Sequence, residues 1–386
     1  MLYGWQSNED VARLATVCKD WLLPSQHVLF RSCALLSTAS AKAFVETALG
    51  RVDLMERVQY LVVGLSEDET WPSSDDGRST TSVRRNQAST SALMITAIRA
   101  CPSLRHLQVR PLHNSARAAL LAALAETTLE TLICSPRLRT PNVDWTGCLF
   151  RREDLSSLIL STLRNFELDA WTVPLVSANG TTISGHSAVE LPPLNITTKL
   201  KTLRLRFDTS DGHLFALLAA AGETLEHADI YMERMVNTEG ATRALTIALP
   251  SIKELRWTTN PPIEGFADVT LSNSPLFDRV LPNFESLRRL SISATEVSPA
   301  LLSLLPSSLH YLEVQAYTYR GPFKFADEML STLASRANTF ELKTFTVRDS
   351  KEVWSREDVL AMTDACAQRG IAFRFAPDEE GDMDSG

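Results

Sequence analysis

One spacing recurs along this chain and narrows what it can fold into more than any other feature. In Leu104-x-x-Leu107-x-Val109 three apolar side chains stand at i, i+3 and i+5. The last two alternate with polar residues, the pattern of a short strand buried on one face. The spacing returns at Leu129/Leu132/Cys134, Leu155/Leu158/Leu160, Leu200/Leu203/Leu205, Leu225/Ala228/Ile230 and Ile252/Leu255/Trp257. It continues at Leu287/Leu290/Ile292, Leu309/Leu312/Val314 and Leu342/Phe345/Val347. Val58/Leu61/Val63 is a weaker copy, and Leu163/Phe166/Leu168 is a further candidate. One such match arises by chance, but a train of them mostly about 25 residues apart marks a repeat chain.

Between the copies the apolar period switches to that of helices, expected over 91–100, 115–126, 213–221, 240–248, 298–304, 326–337 and 355–369. Ser298-Pro299 reads as a cap with Pro at the first helical position, and Ser355-x-x-Asp358 as an acidic capping box. Short turns such as Glu223-Thr224, Pro250-Ser251 and Ser307-Ser308 hand each helix to its strand. Strand, loop, helix and turn at this period predict an α/β solenoid of the leucine-rich-repeat kind, with parallel strands inside a horseshoe and helices outside. The polar stretch 66–92 reads as a disordered insertion, and 171–193, 260–284 and 315–325 as further insertions. A last strand is expected at 372–375, followed by the acidic tail 376–386.

The first fifty residues do not carry the repeat. Val11, Leu14, Ala15, Cys18, Trp21 and Leu22 follow helical spacing after a Ser7-Asn8 cap, and Pro24 is expected to end that helix. A second short helix is expected over 25–30 and a third apolar segment over 41–49. Asp10 to Trp21 reads D-V-A-R-L-A-T-V-C-K-D-W, and Pro24, Leu29, Phe30, Arg31 and Leu35 follow. This resembles the C-terminal half of an F-box, and the pairing of an F-box with leucine-rich repeats resembles a family common in mushroom-forming fungi. The family's upstream Leu-Pro-x-Glu half has no match in Met1-Leu2-Tyr3-Gly4-Trp5, so the segment reads as truncated or degenerate. The resemblance implies an F-box-like segment over 1–50 and a repeat solenoid over 51–375. It also implies docking on the Skp-type adaptor of an SCF ubiquitin ligase through Val11, Leu14, Val17, Cys18, Trp21, Leu22, Pro24 and Leu29. The alternative is a leucine-rich-repeat interaction scaffold with no ubiquitin role.

Chemistry of other kinds finds little support. Phosphate-loop, zincin and dinucleotide motifs are missing, and no cofactor or metal is expected. Gly185-His186-Ser187-Ala188-Val189 approaches a hydrolase nucleophile elbow, but a polar loop precedes it and Pro192-Pro193 follow where the elbow needs a helix. The six cysteines have no zinc spacing and sit among apolar neighbours, as small buried hydrophobes do. The formal net charge of -8 argues against nucleic acid as a partner, and no apolar run reaches membrane length. A cytoplasmic or nuclear location follows, in which the sequons at Asn179 and Asn195 go unused.

What remains is the outward strand face. If the fourth and sixth residues of each copy point inward, the third, fifth and seventh point onto the concave side. That lattice carries Arg110, Arg204, Arg206, Asp229, Tyr231, Arg256, Arg289, Glu313 and Arg348. Arginine outnumbers acid there, and its fork of donors suits carboxylates and phosphates. The expected partner is a target protein presenting an acidic or phosphorylated segment.

Overall fold

A computed structural model describes residues 19–65, 80–110, 112–134, 163–170, 198–207, 218, 221–232, 238–248, 250–259, 275–293, 296–315, 326–335, 341–349 and 354–377. The chain divides into two compact units, Met1–Val173 and Pro174–Gly386. The boundary falls within the stretch read as an insertion over 171–193.

In the first unit α1 (Lys19–Leu29) leads into β1 (Ser32–Leu35), and α2 (Thr38–Gly50) and α3 (Val52–Met55) lead to β2 (Tyr60–Val63). Then come α4 (Thr80–Arg99), β3 (His106–Val109), α5 (Arg117–Ala125), β4 (Thr131–Cys134) and β5 (Asn165–Ala170). The five strands lie side by side in chain order, each parallel to the next. Their register stacks the repeat positions: Leu61, Leu107, Leu132 and Phe166 stand opposite one another and all are buried.

The second unit repeats the arrangement, with seven strands among its described residues: β6 (Thr202–Phe207), β7 (His227–Met232), β8 (Glu254–Thr259), β9 (Arg289–Ser293), β10 (Tyr311–Gln315), β11 (Thr344–Asp349) and β12 (Ala372–Pro377). Between them lie α6 (Thr238–Ala248), α7 (Leu276–Val280), α8 (Ala326–Ala334) and α9 (Arg356–Ala367). One ladder runs Leu203, Ala228, Leu255, Leu290, Leu312, Phe345, Phe373, and a second runs Leu205, Ile230, Trp257, Ile292, Val314, Val347, Phe375. Burying each large member contributes roughly 1.5–3 kcal/mol, so the ladder is the main source of cohesion between repeats. Trp354 closes its end, packing on the rings of Phe373 and Phe375 at 6.3 and 6.0 Å.

The turns read from sequence brace successive repeats. The hydroxyls of Thr224 and Ser308 donate to the carbonyls of Leu200 and Leu287, each at 2.9 Å, and that of Ser251 donates to Gly222. The main chain does the same: Glu226 and His227 both donate to the Lys201 carbonyl, and Lys253 and Glu254 both donate to that of Glu226. The main-chain N–H groups at these strand entrances are thus satisfied by the repeat before them.

Several expectations need correction. Pro24 does not end the first helix but lies inside α1, which runs through the stretch expected to be a second helix. Ser32–Leu35, within the stretch read as helical, is a strand paired with β2 and supplies a rung of the sheet. The helix before β3 begins at Thr80, so the polar stretch 66–92 is helical from that residue onward. The stretch 260–284 contains α7 and a following 3-10 turn, Leu281–Asn283, and is partly a repeat helix. The helix expected over 298–304 is only the 3-10 turn Leu301–Ser303. Leu163/Phe166/Leu168 supplies β5, whereas Leu155/Leu158/Leu160 lies outside the described residues.

Candidate recognition surfaces

Two surfaces bear on function. The first is α1. Of the residues expected to meet an adaptor, Val11, Leu14, Val17 and Cys18 lie outside the described residues, as does the side chain of Trp21. Leu22 is 44% exposed, Pro24 is exposed and Leu29 is half-buried. Leu23 and Val28, which the sequence reading did not single out, are 51% and 54% exposed on the same short helix. Among the described side chains of α1 only Ser25 is buried, and α1 stands directly before β1. A helix whose leucines and valine stay open to water this way has apolar area left to cover.

The second surface is the outward strand face of the second unit. Arg204 Nε lies 3.1 Å from Asp229 Oδ2 on the next strand, and His227 faces Glu254 at 4.0 Å. Further along, Glu313 collects donors: the Tyr311 hydroxyl at 2.7 Å, Gln315 Nε2 at 2.9 Å and Arg348 Nε at 2.9 Å. Gln315 also donates to Ser291 Oγ at 3.1 Å, and the Arg289 guanidinium lies over the Tyr311 ring, 4.9 Å from its centroid. Burial pushes the Glu313 carboxyl up, but the Tyr311 and Gln315 hydrogen bonds and the Arg348 and Arg256 charges outweigh it, leaving the group below the usual carboxylate range.

This face is not uniformly open, as the sequence lattice supposed. Thr258, Ser293, Glu313, Gln315 and Thr346 are buried. Ser293 Oγ accepts from the Thr259 N–H at 2.9 Å and donates to the Thr259 carbonyl, so its polar atom turns to the adjacent strand. Arg204, Arg256, Arg289 and Arg348 remain exposed, and Asp229 and Tyr231 are half-buried. Arg206 sits on β6 opposite Tyr231 in register, its side chain outside the described set. In the first unit Arg110 is exposed just beyond β3, its N–H donating to the Val63 carbonyl at 2.7 Å. The structure therefore brings Arg256, Arg289, Glu313 and Arg348 into one polar field and places Arg110 in the other unit. Arg374 was missed: it lies on β12 opposite Thr346, exposed at the same outward position. The departure of Ala372-Phe373-Arg374-Phe375 from the leucine pattern concealed it.

Reactive chemistry is muted at the described cysteines. Burial pushes the thiols of Cys33 and Cys366 to about 11 and that of Cys101 to about 12, so all three stay protonated near neutrality. Cys101, Cys134 and Cys366 are buried and Cys33 is intermediate. Among the described residues there is no group of three His, Cys, Asp or Glu able to hold a metal, and no helix long and apolar enough to cross a membrane. The Gly185-His186-Ser187 stretch and both sequons lie outside the described residues. No protein-family model matches the chain, and no curated protein matches it.

Proposed function

We propose that this chain is a non-catalytic recognition subunit of an SCF-type ubiquitin ligase, a leucine-rich-repeat solenoid that holds a target while its N-terminal helices hold the Skp-type adaptor. The observation that carries the adaptor half is the exposure of Leu22, Leu23 and Val28 on α1, immediately before the first strand. An apolar helix surface of this kind gains stability by meeting a complementary groove. The target half rests on the ladder of in-register strands, which presents a row of outward side chains on a braced scaffold. Ubiquitin transfer by another subunit needs a receptor that fixes its target in place. Co-expression with a Skp-type adaptor tests the reading: co-purification supports it, and separation of two folded proteins opposes it.

One observation favours a repeat scaffold with no ubiquitin role. Pro24 lies inside a continuous α1, where the resemblance implies a break between two helices. On that reading the exposed α1 surface meets a different partner, and the same co-purification separates the two.

A further inference from the structure

The outward face of β8–β12 has a charge surplus and, in sequence, a neighbour of opposite sign. At the outward positions of these strands stand Arg256, Arg289, Arg348 and Arg374 against Glu254 and Glu313. Among the described residues Arg256 and Arg374 have no carboxylate within ion-pairing distance, and both are exposed. Arg348 is held by Glu313 through Nε, which fixes the guanidinium while its side chain stays 53% exposed. Register places Arg348 opposite Ala376 and Asp349 opposite Pro377, at the end of β12. The next residues are Asp378-Glu379-Glu380-Gly381-Asp382-Met383-Asp384, five acids and no base.

We propose that this acidic segment, residues 378–384, docks on the arginines of the strand face and competes there with the acidic segment of a target. The reach suffices. Neighbouring strands are about 4.8 Å apart, so β8 lies roughly 19 Å from β12. Seven extended residues span up to about 24 Å, so a segment that follows β12 is long enough to reach from Arg374 to Arg256. A segment tethered one residue from its site is present at an effective concentration near millimolar, enough to mask a weak electrostatic site without any apolar contact. The inference rests on the strand face being a recognition surface, and is independent of the adaptor role.

The test uses full-length protein and a fluorescein-labelled synthetic peptide of residues 376–386, followed by fluorescence anisotropy at low salt. One variant neutralises the segment (Asp378→Asn, Glu379→Gln, Glu380→Gln, Asp382→Asn, Asp384→Asn), and a second adds Arg256→Ser, Arg348→Ser and Arg374→Ser to it. The neutralised variant should bind the peptide about tenfold more tightly than the parent. Binding should weaken steeply with added salt and vanish in the arginine variant, whose fold is checked by circular dichroism. Equal affinity for parent and neutralised variant, no binding by either, or retained binding after arginine replacement would each overturn the proposal. Adaptor co-purification is unaffected by any of these changes, so failure here is distinguishable from failure of the ligase reading.

Discussion

Arg348 Nε lies 2.9 Å from Glu313 Oε1, although register sets Arg348 opposite Gln315 rather than Glu313. The guanidinium reaches diagonally across the strand pair, a distance long side chains can span. It does so because Glu313 is the ionised acceptor within reach, and Gln315 Nε2 donates to the same carboxylate and to Ser291 Oγ. The buried carboxylate is therefore the hub that holds Arg348, Tyr311 and Gln315 together.

Replacing Glu313 with Gln should destabilise the chain by about 2 kcal/mol at neutral pH, since charge-assisted hydrogen bonds from Tyr311, Gln315 and Arg348 lose their ionic acceptor. Folding lowers the pKa of Glu313, so its contribution is present above the ordinary value of 4.5 and fades as pH falls through the lower folded value. Urea midpoints of parent and variant should differ at neutral pH and converge in acid.

At the strand entrances, Glu226 sits between Lys201 at 2.8 Å and Lys253 at 2.6 Å. Their hydrogen bonds, first from Lys201 and then from Lys253, pull its carboxyl down to about 2. A carbonyl-detected NMR titration should show Glu226 still ionised at a pH where ordinary glutamates are protonated. The Lys201→Met, Lys253→Met double variant should return it toward 4.5.

Leu203→Asp should cost about 4 kcal/mol or more, because it buries an unpaired charge between repeats. Leu203 is fully buried opposite Ala228, while its neighbour Arg204 is exposed. Arg204→Ser should change the melting temperature little. Equal effects of the two substitutions would contradict the alternation assigned to β6.

Gly64 follows β2 with φ +151°, and a β-carbon there would fall 2.3 Å from Arg110 Cβ and 2.9 Å from Arg110 Cα. The backbone atom cannot swing aside as a side-chain tip would. Gly64→Ala should therefore destabilise the first unit by about 2–3 kcal/mol in chemical denaturation.

What the sequence revealed and what it hid follow from how each signal arises. Leu203 and Leu205 alternate with Arg204 because one strand face is buried, and that period survives even where Ala228 or Trp257 replaces leucine. Ser32–Leu35 escaped notice because Cys33 and Leu35 stand in register with Leu61 and Val63 but lie inside a stretch that resembles another motif. The start of α4 was hidden because Arg85 and Asn86 face water, whereas among its described side chains burial begins at Thr90 and takes in Met94, Ile95, Ala97 and Ile98. A packed C-terminal half lets the hydrogen-bond ladder extend back through polar residues that carry no periodicity. Pro24 misled for a related reason: proline removes one backbone donor and crowds one carbonyl, and tertiary context can keep a helix intact around that loss. Long-range pairings such as Arg348 with Glu313 depend on register across a segment of variable length, which spacing along the chain does not encode.

The most direct test of the central claim is calorimetric titration of a purified Skp-type adaptor into this chain and into a Leu22→Asp, Leu23→Asp, Val28→Asp variant. All three side chains are 44–54% exposed, so the variant should keep the parent's circular dichroism and melting temperature. The account predicts saturable one-to-one binding by the parent and at least a hundredfold loss, about 2.7 kcal/mol, in the variant. Absence of binding by the folded parent, or undiminished binding by the variant, would contradict it.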